Sequence, residues 1–232
     1  MSLDSKLTPE VVKRWVSSAR DQLREAGVIV LLRDEELLEY SPGQYCSGYF
    51  EDDPAEDRAV FAVSVGRPWQ EWFPIFIHEF CHFEQWRDRR EWWDGLKIDG
   101  QEGLELAIQA WAGKIEATPT QIIHWCRTSA VAEYDCERRV IETIKKHGLP
   151  VDCRRYAKKA NSYITYYYAM PELGGWCNGD RPYEVNAIMD LMPDHLDLQD
   201  HEYWELATKV MDLYRKHCLH KKPETTATQI TE

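Results

Sequence analysis

Two histidines and a glutamate share one short stretch, Ile75-Phe76-Ile77-His78-Glu79-Phe80-Cys81-His82-Phe83. On a helix, His78 and His82 project from one face, one turn apart. Two neutral imidazoles so placed can both reach one Zn²⁺, at about 2.0–2.1 Å. Glu79 comes next after the first histidine. A water on zinc has its pKa lowered to roughly 7, so a carboxylate beside it can serve as general base at neutral pH. The flanks decide how the pair is read. A solvated histidine pair on a surface helix calls for polar neighbours. Here the neighbours are Ile75, Phe76, Ile77, Phe80 and Phe83, with Trp72 before and Trp86 after. Imidazoles in a helix of that character need partners, because an unsatisfied buried polar group is costly.

A catalytic zinc site needs a third protein ligand and an open position for water. Asp88 gives His-Glu-x-x-His-x-x-Gln-x-x-Asp, but a ligand from that position needs the helix to turn back, and Gln85 stands where a glycine would allow it. Asp88 therefore projects away if the helix runs on. The alternative is Ala132-Glu133-Tyr134-Asp135-Cys136-Glu137. Glu133 and Glu137 share a helix face, and two exposed acids at that spacing repel. Beside a metal, one can ligate while the other accepts the free ring N–H of a ligand histidine, which fixes its orientation.

His78-Glu79-x-x-His82 on one helix and Glu133-x-x-x-Glu137 on a later one together resemble the gluzincin branch of zinc metallopeptidases. The resemblance covers these two helices and the strand before the first. It implies Glu133 as third zinc ligand and Glu137, where Asp is commoner, as the acid that supports a ligand histidine. It implies a zincin-like α+β fold, predominantly helical, with a small antiparallel sheet of about three strands beside the motif helix and a helical half after it. It also implies peptide-bond hydrolysis with Glu79 as general base, on a peptide or protein substrate and with narrow specificity. An oxyanion donor is expected among Tyr156, Tyr163, Tyr167, His124 and His147, with no choice between them. The rival expectation is a non-catalytic zincin-like scaffold that binds a partner; an intact Glu79 speaks against it, since binding alone needs no base.

The elements that must position these residues follow from pattern. Thr8-Pro9 reads as N-cap and first helical residue, and Val11, Val12, Trp15, Val16, Ala19 and Leu23 recur at helical spacing up to Gly27. Val28–Leu32, Tyr45–Phe50 and Ala59–Val65 read as strands of an antiparallel sheet, with Ser41-Pro42-Gly43 as a turn and 52–57 as an acidic loop. The strand at Ala59–Val65 is expected at the cleft edge, pairing with an extended substrate. The motif helix should run to about Arg90 with Pro74 in its first turn. A long helix is expected from Thr118 to Gly148. Another follows, capped by Asp152 and ended by Pro171. A short helix spans Tyr183–Met192, and a last amphipathic one Tyr203–His217. Residues 1–220 read as one domain and 221–232 as a polar, disordered tail.

Composition excludes several classes. The chain has 232 residues, 44% hydrophobic and 12% aromatic, with 10 Trp and 12 Tyr, enough for a substantial core. A net charge of −12 argues against nucleic acid and anionic membrane as partners. The 7 cysteines are odd in number and form no Cys-x-x-Cys, which reads as reduced thiols in a cytoplasmic protein. No apolar run is long enough to span a bilayer, and the first residues lack a signal-peptide layout. Oligomeric state is not legible.

Overall fold

The computed structural model describes residues 8–41, 44–53 and 58–219. The expected turn at Pro42-Gly43, most of the acidic loop and the tail at 221–232 lie outside the described residues. The elements, in order, are α1 (Glu10–Glu25), β1 (Ile29–Arg33), β2 (Leu38–Ser41), β3 (Gln44–Cys46), β4 (Gly48–Asp53), β5 (Arg58–Ser64), α2 (Trp69–Asp88), α3 (Arg90–Gly95), α4 (Gly103–Trp111), α5 (Pro119–His147), α6 (Cys153–Leu173), a 3₁₀ turn (Pro182–Glu184), α7 (Asn186–Met189) and α8 (Asp200–His217). The protein is α+β and mostly helical, with a three-stranded sheet. No helix among the described residues is long and apolar enough to cross a membrane.

Two compact units are present. The first comprises the described residues of Met1–Gly100 and Val131–Tyr156. Its sheet has the order β1-β5-β4. β4 and β5 pair antiparallel, from Gly48↔Val63 to Asp53↔Arg58. β1 and β5 pair parallel, from Ile29↔Val60 to Arg33↔Ser64. The sheet is therefore mixed rather than antiparallel, and β5 is its central strand rather than its edge. The cause is that β2 and β3 pair with each other as a separate two-stranded sheet. The chain between β1 and β5 thus brings β5 back alongside β1 in the same direction. The edge nearest the motif helix belongs to β4.

α1 buries Val12, Val16, Ala19 and Leu23, one stripe of an amphipathic helix. Pro9 is its cap rather than its first residue. α2 has few polar faces to spare: Trp72, Phe73, Phe76, Ile77, Phe80, Cys81 and Phe83 are all buried. Phe61 of β5 meets Phe76 edge-on at 4.9 Å. Trp15 of α1 meets Phe73, Phe76 and Phe80 in the same geometry at 5.4–5.9 Å. The motif helix is thus fixed from the sheet side and from α1. Pro74 lies inside α2, one turn deeper than expected, and the helix continues past it.

The second unit comprises Gln101–Ala130 and the described residues of Ala157–Glu232. Its interior is aromatic, with Tyr166, Tyr167 and Tyr214 almost fully buried and Tyr168 stacked on Tyr203 at 5.4 Å. Buried Asn161 donates to the carbonyls of Pro193 and His195 and accepts from the Tyr203 hydroxyl at 2.7 Å. Pro171 does not end α6, which runs on to Leu173. The stretch expected as one helix over Tyr183–Met192 is a 3₁₀ turn followed by the four-residue α7.

Candidate metal centre

The site is assembled from α2 and α5 within the first unit. Pro119–His147 is one unbroken helix, so Glu133, Cys136 and Glu137 fall on one side of it, against α2. The His78 and His82 rings stand perpendicular, 4.7 Å between centroids. Their Nε2 atoms lie 3.2 Å apart. Glu133 Oε2 is 3.6 Å from His78 Nε2 and 3.7 Å from His82 Nε2. These three atoms form a nearly equilateral triangle whose circumscribed radius is about 2.0 Å, the length of a zinc–nitrogen or zinc–carboxylate bond. Two imidazoles and a carboxylate are also a donor set that zinc accepts. The residues therefore fit the ion.

Each imidazole is held from behind. Glu137 Oε1 lies 3.3 Å from His78 Nδ1. Gln85 Oε1 lies 2.8 Å from His82 Nδ1. A proton on each Nδ1 bonded this way leaves both Nε2 lone pairs free for a metal. Gln85 is fixed in turn, donating to the carbonyl of Ala132 at 3.0 Å and to Asp135 Oδ2 at 2.9 Å. Asp135 also accepts from Arg89 and Arg139 at 2.9 and 2.8 Å. The Tyr156 hydroxyl donates to Glu137 Oε2 at 2.5 Å. Burial, then the Glu137 charge, raises the Tyr156 pKa well above its usual value, so it stays a donor. Cys136 lies on the Nδ1 side of His78, at 3.7 Å, and its thiol donates to the His78 carbonyl at 3.3 Å.

Glu79 is buried, and the Cγ of its side chain rests against β4. A Cβ built on Gly48 would fall 3.1 Å from that carbon and 2.9 Å from Ile75 Cγ2. Only glycine at 48 admits so close an approach. Burial is the largest influence on Glu79 and raises its pKa. The charges of His78 and His82 work against this, and those of Glu133 and Glu137 reinforce it. A raised carboxylate pKa suits a group that must accept a proton and release it again.

Burial opposes the charged form of both histidines, yet their pKa values are raised well above the usual value. Cys136 and Glu137 outweigh burial at His78, and Cys136 and Glu133 at His82. Protons and a metal compete for the same nitrogens, so metal binding weakens as pH falls.

No protein-family model, curated protein or solved structure matches this chain. The geometry alone therefore carries the functional reading.

The structure brings His78, Glu79, His82, Glu133 and Glu137 together within the first unit. Asp88 is paired with Arg87 on the surface at 2.5 Å. His147 packs beside Trp15 at the end of α5. Tyr163 and Tyr167 belong to the second unit, where their hydroxyls bond each other at 3.0 Å and both rings pack on Trp176. His124 also belongs to the second unit. Tyr156 stays with the site, but behind Glu137 rather than over the ligand triangle. Sequence reasoning missed the role of Gln85. Its signal was present: it stands three residues after His82, on the same helix face.

Proposed function

We propose that the protein is a zinc-dependent metallopeptidase of the gluzincin type, with a zincin-like fold, acting on a peptide or protein substrate with narrow specificity. The observation that carries this reading is the triangle of His78 Nε2, His82 Nε2 and Glu133 Oε2, with sides of 3.2, 3.6 and 3.7 Å, beside a buried Glu79.

His78, His82 and Glu133 would hold the ion. When bound, zinc supplies Lewis-acid polarisation of a carbonyl and acidifies a water. Glu79 takes the proton of the attacking water and passes it to the leaving amine. Glu137 and Gln85 keep the two imidazoles in the tautomer that presents Nε2. β4 is an edge strand of the sheet. Its backbone can pair with an extended substrate chain by strand addition. Gly48, the first residue of β4, touches Glu79, so a peptide on that edge is delivered beside the base.

The test is zinc content and cleavage, measured together. Wild-type protein purified without chelators should carry one zinc per chain. Glu79→Gln should keep the zinc and lose cleavage of the substrates found by comparing protein termini in a proteome exposed to each form. Protein that holds no zinc, and takes up none when it is added, ends the proposal.

A further inference from the structure

The last helix of the second unit ends on a second pair of reactive groups. α8 closes at His217, and Cys218 is its cap. The loop Cys177-Asn178-Gly179-Asp180 lies against that end. The N–H groups of Asn178 and Gly179 donate to the Cys218 carbonyl at 3.1 and 2.9 Å, and that of Asp180 donates to the His217 carbonyl at 2.9 Å. These are helix-end carbonyls that lack intrahelical partners. Gly179 is required for this docking, because a Cβ there would fall 2.4 Å from the His217 oxygen. The backbones of residues 177 and 218 are thereby fixed side by side, and both cysteines are free and buried.

We propose that Cys177 and Cys218 are a redox modification site, closing into a disulfide that clasps the end of α8 to the 177–180 loop under a peroxide oxidant. The main-chain bonds set residue 178 beside residue 218, and the two cysteine side chains hydrogen-bond each other, so the two sulfurs face one another.

The chemistry is asymmetric. The Cys218 side chain, as hydrogen-bond partner, is the largest influence on Cys177, whose pKa falls to about 7. The Cys177 thiol also lies 3.0 Å from the Asp180 carbonyl, its partner when protonated. Cys218 is shifted the opposite way, first by its bond to Cys177 and then by burial. Cys177, 7% exposed where Cys218 is fully buried, is the sulfur that meets the oxidant. Its thiolate attacks one oxygen of hydrogen peroxide; the sulfur–oxygen bond forms, the oxygen–oxygen bond breaks, and hydroxide leaves to become water. Cys218 then attacks the sulfenic sulfur. The sulfur–sulfur bond forms, the sulfur–oxygen bond breaks, and the departing hydroxide takes the Cys218 proton. Two thiols lose two electrons and two protons, and one peroxide becomes two waters.

Cys126 supplies the internal contrast. Burial pushes the Cys126 thiol up to about 12. It is not activated.

The experiment titrates the full chain with hydrogen peroxide under native conditions and maps cysteines by non-reducing peptide mass spectrometry. A linked peptide joining Cys177 to Cys218, two hydrogens lighter than its parts, should appear at doses that leave Cys81 and Cys126 unmodified. Closing this loop should raise the melting temperature by about 5 °C or more, reversibly on adding a thiol reductant. Cys218→Ser should instead leave Cys177 as a sulfenic acid trapped by dimedone, with no rise in melting temperature. If that variant fails to fold, the wild-type map decides alone. Cys177 and Cys218 still free after Cys81 or Cys126 has oxidised, or bonded to other cysteines, overturns the proposal. A Cys177–Cys218 link that leaves the melting temperature unchanged overturns the clasp.

Discussion

The two units bury different kinds of polar side chain. In the first, Asp52, Glu79, His82 and Glu137 are buried ionisable groups, accompanied by Gln85 and Ser64. In the second, the buried polar residues outside the aromatic core are Asn161, Ser162 and Thr165, all neutral. Neutral groups that are fully hydrogen-bonded cost little and fix a unique packing. Buried charges are costly unless paired, and they are retained where a site needs them. The first unit keeps three of these four, Glu79, His82 and Glu137, around one triangle of ligand atoms. The second uses its polar groups as fasteners.

That contrast can be broken by mutation, and the largest effect should come at the base. Glu79→Gln should lower cleavage about 10²–10⁴-fold while zinc stoichiometry is unchanged, as measured by metal analysis alongside a cleavage assay. Glu133→Ala should lose zinc affinity outright in chelator competition, whereas Asp88→Ala should keep it. The opposite pattern would put the third ligand at Asp88.

A smaller effect separates the two supporting residues. Gln85→Leu and Glu137→Ala should each weaken zinc binding about 10–100-fold. Gln85→Glu keeps an acceptor for His82 but loses the donors to Asp135 and the Ala132 carbonyl, so it should recover only part of the affinity. In the second unit the readout changes. Asn161→Ala removes the acceptor of the Tyr203 hydroxyl and the donor to two carbonyls. It should cost about 1–3 kcal/mol in denaturant unfolding with no change in zinc affinity.

The smallest effect concerns Asp52, which accepts from the Trp93 indole at 3.0 Å and from Lys97 at 2.8 Å and lies near Arg90. Burial opposes its ionised form, but these partners outweigh burial and lower its pKa from the ordinary 3.8. The stability it contributes is therefore complete above that value and lost as pH falls through the lower, folded-state value. The unfolding midpoint of wild type relative to Asp52→Asn should be highest near neutral pH, and the gap should close in strong acid.

What the sequence disclosed was local. His78 and His82 share a face because four residues make one turn, and Glu133 and Glu137 share one for the same reason. Apolar flanks around the first pair marked a buried helix, and α2 is buried along the stretch that carries it. Nonlocal facts were hidden. Nothing in Val28–Leu32 or Ala59–Val65 shows that the two strands run parallel, because a hairpin-like spacing is equally compatible with β2 pairing β3. The strand at the edge was misplaced for that reason. Gln85 was weighed only for the glycine it replaces, so its hydrogen bond to His82 went unread. Tyr156 stood among five equivalent oxyanion candidates because its partner, Glu137, sits on a different helix.

Pro74 has a consequence for how α2 opens. Lacking an amide proton, it leaves the helix ladder one bond short between the segment that starts at Trp69 and the segment that carries His78. The two parts can therefore fray independently. In hydrogen exchange, amides before Pro74 should lose protection at rates that leave Ile77 to Phe83 untouched. The ligand-bearing turns would then behave as a separate unit of opening, sheltered from motion at the helix's own beginning.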